Sequence, residues 1–418
     1  MSSRGCSSSG LVLALAAWVL LSPGLAPAEP PPPPAAPAAP GEPAKPAATA
    51  TPRPPPWLAD LGERPRVAIF PVQNLTGSRA PVKELTQALR ATLEARGVPL
   101  AAEDEVELAE VRHRIRYAAG LDREGAKALR DEASVGAVLI TSLELLSERT
   151  PPSVAIVSRL VSTADTPKIL WMDQVALSGH DAPGLLKLGE VEALPPLQER
   201  ALGMLTTSLL GGPSASCGRD TRFAPRLFFR SADMDDTDRW SIAILPFVDD
   251  SGRRDAGDLI ALEILRQLVA SRAFEVVEPG VTRRVLLDDR IILEGGVSVD
   301  AAMAVRERLG ADLIVAGSVL EYADAHLRSG VPAAQFSLYV LDGRNERIIW
   351  SSSSRGQGDA GVLWFGIGRV NDTPALACRM AREAVERMAG KRATMPHSTA
   401  AKLAPKRRGF ARSARANP

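Results

Sequence analysis

Apolar and polar positions along this chain follow the strand and helix periods in turn, and the same succession occurs twice. A short apolar run, RVAIFPV at 66–72, leads into a polar loop (QNLTGSRA). Val82, Leu85, Leu89 and Leu93 then recur at helical spacing. A second run, SIAILPF at 241–247, leads into VDDSGRRD and then Leu259, Leu262, Leu265, Leu268 and Val269. Each run reads as a buried strand and each periodic stretch as an amphipathic helix. Residues 274–277 read as a further strand, and 106–117 and 281–289 as second helices. Third helices are expected after Asp122 and Ser298, both good N-cap residues. Strands follow at 137–145 and 313–322. Residues 154–161 and 335–341 alternate as half-buried strands do, each with a hairpin partner ending near 177 and 354. Last helices are expected over 195–210 and 374–388, the second opened by Thr373 as cap and Pro374 in the first turn.

The two halves match residue by residue. Ala68, Ile69 and Pro71 align with Ala243, Ile244 and Pro246. Gly120 aligns with Gly296, Gly136-Ala137 with Gly310-Ala311, and Trp171 with Trp350. A period this long means duplication of a domain, not a solenoid. The order per repeat is β-α-β-α-α-β-β-β-α. An early crossover followed by a late meander implies an α/β (α+β) fold: two tandem similar domains, each a mixed sheet with helices packed on it.

Composition separates the globule from its flanks. Of 34 prolines in 418 residues, 13 fall within 29–56, an extended spacer. Before it, Arg4, the apolar stretch 11–21 and the small residues Ala26 and Ala28 read as a secretory signal cleaved between Ala28 and Glu29. Eleven apolar residues are too few to cross a bilayer, which needs about 20. The expected boundaries are therefore 1–28 signal, 29–63 disordered linker, 64–211 first repeat, 212–237 connecting segment, 238–389 second repeat and 390–418 tail. That tail carries eight basic residues and no acid from 391 onward, a candidate contact for anionic lipid or another polyanion. Net charge is only +1, which argues against a dedicated nucleic-acid binder. Export places the chain in a periplasmic or extracellular, oxidising setting. Two cysteines remain after cleavage, Cys217 and Cys378, so one disulfide is possible and two inert thiols are the alternative.

The strand VAIFP at 67–71, LGADLIVAGSV at 309–319 and IIWS at 348–351 resemble the CsgG-like and TolB amino-terminal-like periplasmic domains. That fold group also includes lipoprotein activators of penicillin-binding proteins. The second repeat carries the pattern well and the first in degenerate form, as VGAVLITS at 135–142. The resemblance implies a non-catalytic envelope role in secretion, scaffolding or regulation of wall synthesis. The chain departs from it in lacking a lipobox and propeller repeats, and in being doubled.

Candidate chemistry is sparse. Gly356, Gly358 and Gly361 satisfy G-x-G-x-x-G literally, but after a late strand, where no dinucleotide fingerprint belongs. No cofactor and no metal site is expected, since the four histidines are far apart. Asp249 and Asp250 follow an opening strand, where α/β sheets commonly bind ligands; solvated loop acids are the simpler reading. Val362, Leu363, Trp364, Phe365 and Ile367 form an apolar, glycine-flanked loop. It either folds back on the core or serves as an oligomer or partner patch. No catalytic triad assembles. The leading expectation is a non-catalytic periplasmic binding or scaffold protein assisting an envelope assembly through envelope-protein partners. The alternatives are an outer-membrane secretion-channel subunit and a small-ligand or nucleotide binder.

Overall fold

The chain forms two mixed sheets with helices packed on them, in a computed structural model that describes residues 55–115, 120–181, 190–215, 217–235, 240–291, 298–324, 330–362 and 368–390. The described residues between 55 and 390 make one compact unit. The first half supplies β1 (Arg66–Ile69), β2 (Gln73–Asn74), α1 (Val82–Glu94), α2 (Glu103–His113), α3 (Arg123–Glu132), β3 (Val135–Ser147), β4 (Ser153–Ser162), β5 (Ile169–Ser178) and α4 (Leu194–Leu209). The second supplies β6 (Leu227–Arg230), β7 (Ser241–Ile244), β8 (Val248–Asp249), α5 (Ala256–Ser271), β9 (Glu275–Val276), α6 (Pro279–Asp288), α7 (Val299–Leu309), β10 (Leu313–Ala323), β11 (Ala333–Asp342), β12 (Arg347–Gln357) and α8 (Thr373–Ala389). The first sheet runs β1-β3-β4-β5, with β2 also on β3; the second runs β6-β12-β11-β10-β7-β9, with β8 on β10. In both, the opening strand pairs in parallel with the first strand of an antiparallel meander, as a crossover followed by hairpins requires.

Local chemistry explains the element ends. Asp122 accepts from the Gly125 amide at 2.7 Å and Ser298 from Ala301 at 3.1 Å, so both expected caps operate. The cap of α8 lies one residue earlier than expected. Asp372 accepts from the Ala375 amide at 2.7 Å, while Thr373 donates its hydroxyl to the Ala323 carbonyl. Residues 55–63, read from composition as part of the spacer, belong to the globule. Trp57 is buried there and donates Nε1 to the Leu209 carbonyl at 2.7 Å. In the connecting segment, 227–230 form the edge strand β6.

The ladders refine the match between the halves. Val67 pairs with Ala137, and its counterpart Ile242 pairs with Leu313. Ala137 is thus equivalent to Leu313 and Ser142 to Ser318, two residues away from the match of Gly136-Ala137 to Gly310-Ala311. A slip of two is one strand period and leaves every side chain on its face, so the apolar pattern matches in either register.

Each sheet buries one face under its own helix pair. Leu85, Leu89 and Leu93 of α1 and Leu197, Leu202 and Leu205 of α4 cover the first sheet. Ile260, Ile264 and Leu268 of α5 and Leu376, Met380 and Ala384 of α8 cover the second. On the opposite faces, α2 and α3 cover the region around β1 and β3, and α6 and α7 the region around β7 and β10. The halves then diverge. β11 alternates in burial as expected, but β4 is buried on both faces throughout. The second half covers its other face: Glu278, just before α6, meets Arg159 of β4, and Ile169 and Met172 of the neighbouring β5 pack into the core of the second half. α5 is buried on most of its circumference, and its buried residues include the polar Glu263, Arg266 and Gln267 beside the apolar Ile260, Ile264 and Leu268.

Candidate functional site

The joint between the halves holds the most unusual side chains. Arg159, in the middle of the apolar strand β4, is 3% exposed and faces Glu278, which is 0% exposed. Glu278 accepts from Arg159 Nε at 3.3 Å and Nη2 at 3.2 Å, and from the Leu121 amide at 3.2 Å. Gly120 and Gly280 let these backbones meet: a Cβ on Gly280 would lie 2.3 Å from the Leu121 nitrogen. Arg253, in the polar loop after β8, donates to the carbonyls of Leu75 and Glu144 at 3.0 Å each. Its guanidinium also lies over the Tyr322 ring.

A second polar cluster lies where α5 meets β5. Glu263 accepts from Arg266 at 2.6 Å and from Gln267 at 2.7 Å, and Arg266 lies 3.8 Å from Asp173. Asp173 also accepts from Ser208, Ser214 and the Ala215 amide. Glu144 accepts from Gln174 at 2.6 Å. Burial, reinforced by the nearby Glu263 charge, pushes the Glu144 carboxyl up to about 8. Burial likewise raises Asp372 to about 7, with Asp181 adding to it. Glu144 thus sits on Gln174 where the halves meet, and Asp372 caps α8. Raised acids suit general-acid chemistry only where a substrate reaches them, and both Glu144 and Asp372 are wholly buried.

Of the expected site residues, Asp249 organises its own loop. One oxygen accepts from Ser251, the other from the Ala256 amide at the start of α5. Asp250 is exposed and donates its amide to Val319. Gly356 and Gly358 pack against Met380 and the Val370 carbonyl, not around an open phosphate cradle. Cys217 and Cys378 are joined by a disulfide that ties the connecting segment to α8. No group of His, Cys, Asp and Glu among the described residues is arranged to hold a metal. The proposed cleavage site Ala28–Glu29 and the basic tail from 391 lie outside the described residues.

Val362 is half-buried; Leu363, Trp364, Phe365 and Ile367 lie outside the described residues. The shoulders of that loop are bridged by one guanidinium. Arg222 donates to Ala360 O at 2.9 Å and to Gly368 O at 3.0 Å, and Asp220 holds it at 2.7 Å. Beyond Arg222 the chain enters β6, which among the described residues pairs only with β12 and stands last in the sheet. Its Leu227, Phe228 and Phe229 are 74%, 51% and 51% exposed. Phe228 stacks on Trp350 at 5.4 Å; Leu227 and Phe229 lie on the opposite face of the strand. Sequence reasoning passed over Arg222 and β6, although three consecutive apolar residues in a supposed connector were a readable signal.

No family model and no curated protein matches the chain. Solved structures do. PelC from Paraburkholderia phytofirmans, solved as a dodecamer, is 14% identical over 36% of this chain and 88% of its own, with a TM-score of 0.27. The LpoB C-terminal domain from Salmonella enterica is 19% identical over 27% and 82%, with a TM-score of 0.23. The hypothetical protein CT253 from Chlamydia trachomatis is 16% identical over 38% and 100%, with a TM-score of 0.25. No described helix is long and apolar enough to cross a membrane.

Proposed function

We infer that this chain is a non-catalytic cell-envelope binding and scaffold protein that meets its partner along the outer edge of the second sheet. The observation that carries the reading is β6, a terminal strand with three exposed apolar side chains in succession. An edge strand presents unpaired backbone N–H and C=O groups, and proteins ordinarily blunt such edges with charge, proline or a bulge. Here the edge carries Leu227, Phe228 and Phe229 instead. That chemistry fits an extended apolar segment of an envelope protein added as a further strand, with main-chain pairing for affinity and side-chain contacts for choice. Arg222, which bridges Ala360 and Gly368, stands five residues before the start of β6. The envelope setting rests on the signal-like N-terminus, the proline-rich arm and the resemblance to CsgG-like and TolB amino-terminal-like domains. Secretion, envelope integrity and wall-synthesis regulation are the roles that resemblance offers.

A photo-activatable residue at Phe229, introduced in the producing cell, tests the reading. Adducts with envelope proteins are expected from position 229, and none from the exposed Leu108 on α2, far along the chain from β6. No adduct at 229, or adducts equally from both positions, would overturn it.

A further inference from the structure

The contact between the two halves is one-directional. The first sheet offers the face that its own α1 and α4 leave uncovered, and the second half lays α5 across it. Both halves have the same architecture, so the chain ends with one unused surface of each kind. On the second sheet, the positions equivalent to the covered face can be read from the ladders. Opposite-strand pairing equates Ser142 with Ser318, Glu144 with Leu320, Val157 with Ser337 and Gln174 with Ser353. The first-half residues of these pairs are 1–4% exposed. Leu320 is 49% exposed and Ser353 is exposed.

The helix layer shows the converse. Core positions Leu85, Leu89 and Leu93 of α1 correspond to Ile260, Ile264 and Leu268 of α5. Ala88, Ala91 and Thr92 therefore stand where Glu263, Arg266 and Gln267 stand on α5; all three are buried, Arg266 beside Asp173 of the first half, Glu263 near Glu144, and Gln267 against Cys217 and Cys378. On α1, Ala88 and Ala91 are exposed, and Ala91 and Thr92 line a groove of about 420 Å³ with Ala95, Arg96, Glu199 and Gly203. This outer surface sets small residues beside Arg96 and Glu199, and the sheet face is serine-rich, with Leu320 and Ser353 exposed and Ser318 and Ser337 half-buried. Small side chains on both sides permit close approach of helix to sheet.

The geometry points to a head-to-tail contact between copies of this chain, in which α1 and α4 of one copy cover the exposed face of the second sheet of the next. The contact repeats the one within the chain. It is heterologous, so it builds a ring if the rotation closes and an open filament if it does not. It is also weaker than the internal joint. Arg159 and Glu278 have as counterparts Tyr339 and Ala102, from the ladder positions and from the shared N-cap place before α6 and α2. The buried ion pair is thus missing from the outer copy of the joint, and association should depend on concentration. Leu227 and Phe229 of β6 pair with Ser353 and Ser351 and so border this same face; the inference is tested on the purified chain, with no envelope partner present, so its failure and that of the envelope reading are told apart.

Sedimentation velocity on the full chain tests it, with Leu320→Arg blocking the sheet face and Ala91→Arg blocking the helix face. Both positions are exposed, and an unchanged melting temperature verifies each fold; Ser353→Arg and Ala88→Arg serve as replacements. The unmodified chain should associate progressively with concentration, and each variant alone should remain a monomer. An equal mixture of the two variants should form a dimer and nothing larger, because it holds one intact surface of each kind. A monomeric unmodified chain up to about 1 mM, self-association of either variant alone, or a monomeric mixture would overturn the inference. Pairing of two sheet faces, or association through residues 1–52, would appear as self-association of the Ala91→Arg variant.

Discussion

At the scale of single residues, the joint between the halves is where stability responds to pH. Glu144 is wholly buried and its carboxyl is raised from an ordinary 4.5 to about 8. A carboxyl whose folded pKa lies above its unfolded value takes up a proton on folding. Its contribution therefore favours the folded state below about 4.5 and is lost progressively as pH rises to about 8. Glu144→Gln keeps a neutral partner for Gln174 and removes that loss. The variant should be more stable than the parent at pH 8–9 by roughly 1–4 kcal/mol and nearly equal at pH 4. Urea midpoints at the two pH values check this, and a variant less stable at pH 9 would contradict it. Arg159 was legible as an anomaly, a lone cation in the run SVAIVSRLVS. Its partner was not, because Glu278 lies in the other half and nothing local links the two.

At the scale of elements, the periodicities located the strands and helices because each half obeys its own hydrophobic pattern. They fell short where one half packs on the other. The alternation of β4 spoke for a half-buried strand, yet the second half covers its other face, Arg159 against Glu278. Leu262, spaced with the core leucines of α5, is only partly buried, while the polar Glu263, Arg266 and Gln267 are buried. A single helical stripe does not describe a helix held between two sheets. The connecting segment was read as a linker on composition, which hid the apolar triplet of β6. Gly120 was singled out as a match between repeats; its physical role is the close approach to Gly280. Gly280→Ala should force the start of α6 away from Leu121 and cost about 1–3 kcal/mol, as overpacking does. The loss should appear as a lower urea midpoint together with faster amide exchange at Leu121. An unchanged midpoint would show that the two backbones do not meet as described.

At the scale of the whole molecule, two similar folds are stacked in one direction, joined by buried ion pairs and by a disulfide from the connecting segment to α8. A buried pair of charges is weak evidence for stability but fixes how surfaces fit, since every misfit leaves a charge unpaired. The joint thus sets the geometry at which the outer edge of the second sheet is presented. The duplication was legible in the sequence; the direction of stacking was not, because it depends on which face each helix layer leaves open. We propose β6 as the strand along which this chain meets its partner. The most direct test of this proposal compares the sedimentation of the chain in gently extracted envelope material with that of Phe229→Arg. Position 229 is 51% exposed, so the substitution should leave the melting temperature unchanged. The parent should sediment within a larger complex and the variant as free chain. A variant that stays in the complex, or a parent that sediments free, would contradict the claim.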